Sequence, residues 1–535
     1  MSVLEKISLE RAKTAESVGV SSKEVQKFID QCMEENKELH SIMVIRHGKV
    51  ACEAYRDPFG PEHKHMMYSV SKSFTSTAIG FAIDEGYIDL DTKFVDIFPE
   101  ARKEKPDEYL EKMTVEDLLT MRSGLSVTPM MDKRRDRWFK STIESAWVSE
   151  PGTEFLYISE NMYLLCCIIH KVVGMSVMKF LQPRLFEPLG IEEPFWETCP
   201  RGIEAGGWGM MIKTEDLAKF TLCYLNGGKF QGKQVIPEWW TREAVIGRAD
   251  SSVSSHDADC VKGYGYCFWR NSVDDSFRAD GMFSQFGIGF EKLDACVIAT
   301  GGEVYEQGMR DVIWNHFPKA FIDEDENAET VELSIPPYKR LPKKPRSFME
   351  KKLVDKTIKF VRPPILDIAG FPISVLPLTA VFMEKDKAGN ITDVSFAPNG
   401  EELVFSWREG DERNSIRIGM DGEYRWDKMV LGQTEYNTCA IGCWHSETEL
   451  EIHIRAIEAV AERHLVFKFS DDNVTMKPSS WPESSVMADT LKETVKDVIK
   501  QPLIRNTLST ALPHVISIID LIHVGRITNK PPKEV

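Results

Sequence analysis

The chain has 535 residues, 42% of them hydrophobic and 28% charged, the make-up of a soluble globular protein with material for more than one domain. A formal net charge of −17 repels polyanions and excludes nucleic acid as a partner of the protein as a whole. No run of about 18 uninterrupted apolar residues occurs, so no membrane span is expected, and the charged opening from Met1 to Ala12 lacks the apolar core of a secretory signal.

In chain order, Ser41 to Tyr55 reads as a β-hairpin turning at His47-Gly48. Val70 to Asp84 reads as a buried helix, with Gly86 supplying the stop. Thr114 opens a short helix with Asp117 three residues on, the pattern of a capping box. Pro151-Gly152 predicts a turn, followed by an extended piece through Tyr157 and Ser159 and then an apolar helix. Gly227 to Lys233 has the spacing of a phosphate loop. However, Gln234 stands where a hydroxyl must reach magnesium, and the segment follows a helix, so it reads as a turn. Residues 1–333 thus mix helix and strand periods. The prolines and like charges from Ile335 to Arg346 resist both and place a linker at 334–348.

Beyond the linker, residues 349–482 alternate with period two at Leu403–Trp407, Ser415–Ile418, Leu450–Ile457 and Leu465–Phe469. Turn signals at Ala388-Gly-Asn390 and Asp421-Gly422 complete the pattern of an antiparallel barrel or sandwich. The eleven cysteines, scattered from Cys32 to Cys443, suit reduced thiols and a cytoplasmic location. Cys439 and Cys443 with His445 match no common zinc spacing, and no metal is expected there. Residues 483–535 read as a helical tail, from Ser485 to about Arg526, broken at Pro502 and Pro513. Its apolar stretch Val515–Val524 is expected to pack on the β domain or, in a homo-oligomer, on a second subunit.

Neither G-x-S-x-G nor H-E-x-x-H occurs. S-x-x-K occurs twice, at Ser69-Val-Ser-Lys72 and Ser176-Val-Met-Lys179. A serine hydroxyl is a poor nucleophile until a base takes its proton, and a lysine three residues along the same helix face can reach it. The lysine must first lose much of its basicity, which needs burial. Ser69 precedes an apolar helix and meets that need; Ser176 reads as the N-cap of a surface helix.

Tyr68-Ser69-Val-Ser-Lys72, Thr120 to Leu125, Pro151-Gly-Thr through Tyr157-Ile-Ser159, and Gly206-Gly-Trp-Gly209 through Phe220 occur in one order. Together they resemble the β-lactamase-related serine hydrolases: class C β-lactamases, D,D-peptidases, EstB-type esterases and nylon-oligomer hydrolases. The resemblance covers roughly residues 15–320. It implies an α+β catalytic domain, an antiparallel sheet flanked by helices plus a helical lobe, ahead of the β domain and the tail. It also implies Ser69 as nucleophile, Lys72 as general base and Tyr157 as proton shuttle, with Ser159 where many relatives carry Asn. The third motif falls on Ala279 to Phe286, with Met282 where relatives have Lys or His. Gly281, Ser284 and Gln285 are then the expected pocket residues, the Gln285 backbone N–H completing the oxyanion hole. The expected activity is cleavage of small-molecule esters or amides without metal or organic cofactor; the alternatives are a D-amino-acid peptidase, a weak β-lactamase, or a non-catalytic binding or scaffold protein.

Overall fold

Strands β1 (Leu39–Arg46) and β2 (Lys49–Tyr55) meet at His47 and Gly48, whose φ angles of 51° and 74° give the left-handed turn that matches strand twist. With β3 (Trp269–Arg270), β4 (Ser276–Gly281), β5 (Gln285–Phe290) and β6 (Ala295–Gly301) they form an antiparallel sheet in the order β2-β1-β6-β5-β4-β3. This computed structural model describes residues 7–104, 107–126, 138–252, 257–361, 391–409, 412–431, 434–460, 462–481 and 522–529. They fall into two compact units dividing between Pro336 and Pro337, inside the proline-rich segment.

The first unit's helices include α1 (Ser22–Glu34), α2 (Ser71–Asp84), α3 (Glu160–Val173), α4 (Thr214–Leu225) and α5 (Glu306–Ala320). Phe28 and Ile29 of α1 and Val312, Ile313 and Phe317 of α5 share one core with Ile42, Val44, Ile288 and Val297 of the sheet. The opposite face carries α4, whose Leu217 and Thr221 press on Gly287. β1 and β6 are therefore covered on both sides, which is why they read as continuous apolar runs. The Thr114 capping box and the turn after Gly227 are both present, the latter as a two-residue link between short strands.

After a short helix at Met349–Leu353, the described strands of the second unit are β7 (Thr357–Phe360), β8 (Ile391–Asn399), β9 (Glu402–Glu409), β10 (Glu412–Gly419), β11 (Arg425–Leu431), β12 (Thr434–Ser446), β13 (Glu449–Ala456), β14 (Glu462–Ser470), β15 (Asn473–Trp481) and β16 (His523–Thr528). Their order is β10-β9-β8-β7-β16-β15-β14-β13-β12-β11. The sheet closes into a barrel through a bridge from Gly419 to Ile441 and the Asn414 side chain, which bonds both backbone groups of Val430. The structure corrects the helical reading of the tail: His523–Thr528 is a strand paired with β7 and β15. His523 and Gly525 alternate inward with exposed Val524, a short period-two signal that the apolar residues before it obscure. The Ala388-Gly-Asn390 turn and most of the expected helical tail lie outside the described residues.

Gly80 sits in α2 where a Cβ would lie 2.4 Å from the fully buried Trp240 ring. Gly80→Ala is expected to destabilise the first unit by about 1–3 kcal/mol through overpacking, read as a lower urea midpoint; an unchanged midpoint would show that the ring yields freely.

Candidate functional site

The site begins with an unusual helix. Between His65 and Ala82 every residue is buried except Ser69. The residue before it, Tyr68, has φ 45°, a left-handed conformation that a bulky side chain adopts only under constraint. A 3₁₀ turn (Tyr68–Val70) then leads into α2, so Ser69 stands at the helix start with Lys72 one turn on.

α2 carries five buried hydroxyl residues in its first half, each needing a partner once removed from water. They find partners on the surrounding loops and on α4. The Ser73 hydroxyl donates to the Cys267 carbonyl (2.7 Å), that of Thr75 to Gly206 (2.9 Å) and that of Ser76 to Tyr266 (2.7 Å). Ser71 accepts from the Met210 N–H (3.2 Å), and Thr77 pairs with the Tyr224 phenol (2.7 Å). These bonds fix the loop at 206–210 against the helix.

Lys72 is 1% exposed. Its three ammonium protons have three acceptors: the Ser69 hydroxyl at 2.8 Å, the Ser159 hydroxyl at 3.1 Å and the Gly207 carbonyl at 2.7 Å. All are neutral, so nothing on this inner sphere offsets the cost of burying the charge. Burial therefore draws the lysine pKa down to about 7, against weaker opposing pulls from Cys267, Glu160 and Asp280. The Tyr157 ring faces the ammonium with its centroid 4.8 Å away, and its phenol lies beside Ser69. Burial holds that phenol well above its ordinary pKa, so it stays protonated near neutrality. Trp269 and Tyr264 pack on the same ring at 5.4 and 5.9 Å and fix its orientation.

Four expected residues, Ser69, Lys72, Tyr157 and Ser159, are thus brought together. The third-motif residues lie on the turn between β4 and β5. Gly281 ends β4 where a Cβ would lie 2.2 Å from the Met67 carbonyl, so glycine allows this strand to press on the loop entering Ser69. Among the described residues the buried Ser284 hydroxyl has no hydrogen-bond partner. The Gln285 side chain is fully buried and donates to the carbonyls of Met282, Phe283 and Gly301, which clamps the turn. That turn runs through Phe283 and Ser284 at φ 64° and 68°. The Phe283 N–H donates to Glu306 (3.0 Å), and its ring meets the Tyr68 ring edge-on at 5.1 Å.

The Gly207 carbonyl has no role in the sequence reading. Its one signal is the glycine itself, because a Cβ there would lie 2.7 Å from that of Ser159. Ser176, the serine of the second S-x-x-K, caps a short helix by accepting from the Lys179 N–H.

Residues 25–300, just over half of the chain, match the family model described as Beta-lactamase. The chain is 27% identical over 227 residues to a 6-aminohexanoate-dimer hydrolase of Paenarthrobacter ureafaciens, covering 39% of this chain and 57% of that protein. It is 25% identical over 246 residues to penicillin-binding protein 4 of Amycolatopsis lactamdurans, covering 37% and 64%. It therefore spans about three fifths of the length of these curated relatives. Among solved structures, a putative 6-aminohexanoate-dimer hydrolase from Bacillus anthracis aligns with a TM-score of 0.48 at 19% identity, covering 58% of this chain and 86% of that one.

A buried lysine titrating near 7 has a consequence for stability. An unfolded lysine binds its proton up to about pH 10.4, whereas the folded one releases it near 7. Between these values the unfolded state holds more protons, so stability rises with pH. Lys72→Met should raise the melting temperature at pH 6 to 7, and the gain should shrink toward pH 10. A gain independent of pH would show that Lys72 is not the titrating group.

Proposed function

Since this chain belongs to the β-lactamase family, we propose that it is a serine hydrolase that cleaves ester or amide bonds of small molecules through an acyl-enzyme on Ser69. The observation that carries the reading is the pairing of a half-exposed serine hydroxyl with a buried lysine drawn down to about pH 7. Above that pH Lys72 has a free lone pair facing Ser69 and takes its proton as the hydroxyl attacks the carbonyl. The new C–O bond forms as the carbonyl electrons move onto oxygen. The oxyanion lies at the start of α2, where backbone N–H groups favour negative charge. The phenol of Tyr157 stands beside Ser69 and passes a proton to the leaving group as the tetrahedral intermediate collapses. Lys72 resupplies that proton, and water then releases the acyl group by the reverse path.

A preference for neutral acyl groups over β-lactams follows from the third motif. β-Lactam antibiotics carry a carboxylate beside the ring, and Met282, standing where relatives have Lys or His, offers it no cation. Losing one charge-assisted hydrogen bond costs roughly 1.5–3 kcal/mol, or about one to two orders of magnitude in rate. The 27% identical relative named for an amide dimer keeps amides within the substrate class.

Ser69→Ala is expected to abolish turnover of p-nitrophenyl butyrate and labelling by a fluorophosphonate probe, and Tyr157→Phe to lower kcat/KM by about 10²–10⁴-fold. For the wild type, kcat/KM should rise with pH through about 7 and be higher for the butyrate ester than for nitrocefin. Full activity in Ser69→Ala would overturn the mechanism; a preference for nitrocefin would overturn only the substrate class.

A further inference from the structure

On the barrel, β13 and β14 pair so that His453 lies directly opposite His464. The alternating Leu450, Ile452 and Ile454 take one fully buried face, which sets Glu451, His453 and Arg455 on the other. Glu462 of β14 joins them there. Its Oε2 accepts from the Arg455 Nε at 2.8 Å, leaving Oε1 to the two imidazoles: His464 Nε2 lies 2.8 Å away and His453 Nδ1 3.3 Å away. On the far side of the His453 ring, Nε2 is bonded to Glu451 Oε1 at 2.9 Å, and the other oxygen of Glu451 meets His445 of β12.

From this arrangement we propose that His453, Glu462 and His464 form a binding site for a divalent transition metal of the zinc class. Three independent features converge. The three ligand atoms lie within 4.8 Å of one another, and the 3.3 Å between His453 Nδ1 and Glu462 Oε1 is the separation of two donors each about 2.0 Å from a tetrahedral ion. Glu451 accepts from the distal nitrogen of His453, as carboxylates do behind a metal-binding histidine, which fixes the ring with Nδ1 toward the site. Arg455 neutralises and orients the ligand carboxylate in the same way.

The chemistry of the donors selects the ion. Two imidazoles and one carboxylate favour zinc and its neighbours over calcium or magnesium, which take oxygen. The His464 side chain is 25% exposed, so a fourth position opens to water. The two rings stack at 3.7 Å, and His464, the more exposed of them, is the one with room to tilt onto a shared ion. An ion held there ties β13 to β14 from opposite strands. The ligand set H-x8-E-x-H has no local signature because it is assembled by strand register.

The test is calorimetric titration of the purified, chelator-stripped full chain with zinc chloride, beside magnesium chloride. One zinc site with a Kd in the micromolar range or tighter, and none for magnesium, is expected. His464→Asn and His453→Gln should each remove it, Glu451→Gln should weaken it about 10–100-fold, and Ser69→Ala should leave it unchanged. Circular dichroism of each variant confirms that the barrel is folded. Absence of zinc binding in the wild type, or undiminished binding in folded His464→Asn, would overturn the site and leave these residues as an ion-pair network.

Discussion

The first unit is organised around one unfavourable act, the burial of the Lys72 ammonium. A primary ammonium 1% exposed, with three neutral acceptors and no carboxylate in contact among the described residues, is a costly arrangement that only a rigid surround maintains. That surround is the ring of hydroxyls on α2, which binds the loops at 206–210 and 266–267 to the helix and so fixes the Gly207 carbonyl. Remove the cost and the lysine becomes an ordinary cation, with no reason to release a proton near neutrality.

Strain on the approach to Ser69 belongs to the same design. Tyr68, Phe283 and Ser284 are all non-glycine residues with positive φ, and two of them touch through their rings. Gln285 and Glu306 hold the Phe283 turn from below, and Gly281 lets β4 approach the Met67 carbonyl. The sheet edge, the turn and the serine loop thus support one another's less favourable conformations, a pattern common where geometry serves chemistry. Dry packing beneath them, from α4 across β5 and β6 and from α1 and α5 on the opposite face, makes the support stiff.

The barrel is built on other terms. Its polar outer face carries charged pairs in register across strands, the histidine and glutamate set on β13 and β14 among them. Within the wall, Arg463 meets Glu409 through two bonds of 2.9 Å with both side chains buried. Bidentate geometry of this kind fixes register more than it adds stability.

By itself the sequence determined what depends on neighbours along the chain. The hairpin turn at His47-Gly48, the Thr114 capping box, the Ser176 cap and the alternating barrel strands are set by local sterics and period, and each stands where its residues placed it. Ser69 and Lys72 were legible for the same reason, since one helical turn joins them, and Tyr157 and Ser159 through a motif kept in order. What only the tertiary structure decided are contacts between distant segments. It decided that Gly207 gives Lys72 its third acceptor, that Gln285 spends its side chain on a turn, and that His523–Thr528 joins the barrel as a strand instead of extending a helix. It also brought His453 opposite His464. Such contacts follow from strand register and from how loops settle on a helix, and neither leaves a period or spacing to read in one dimension.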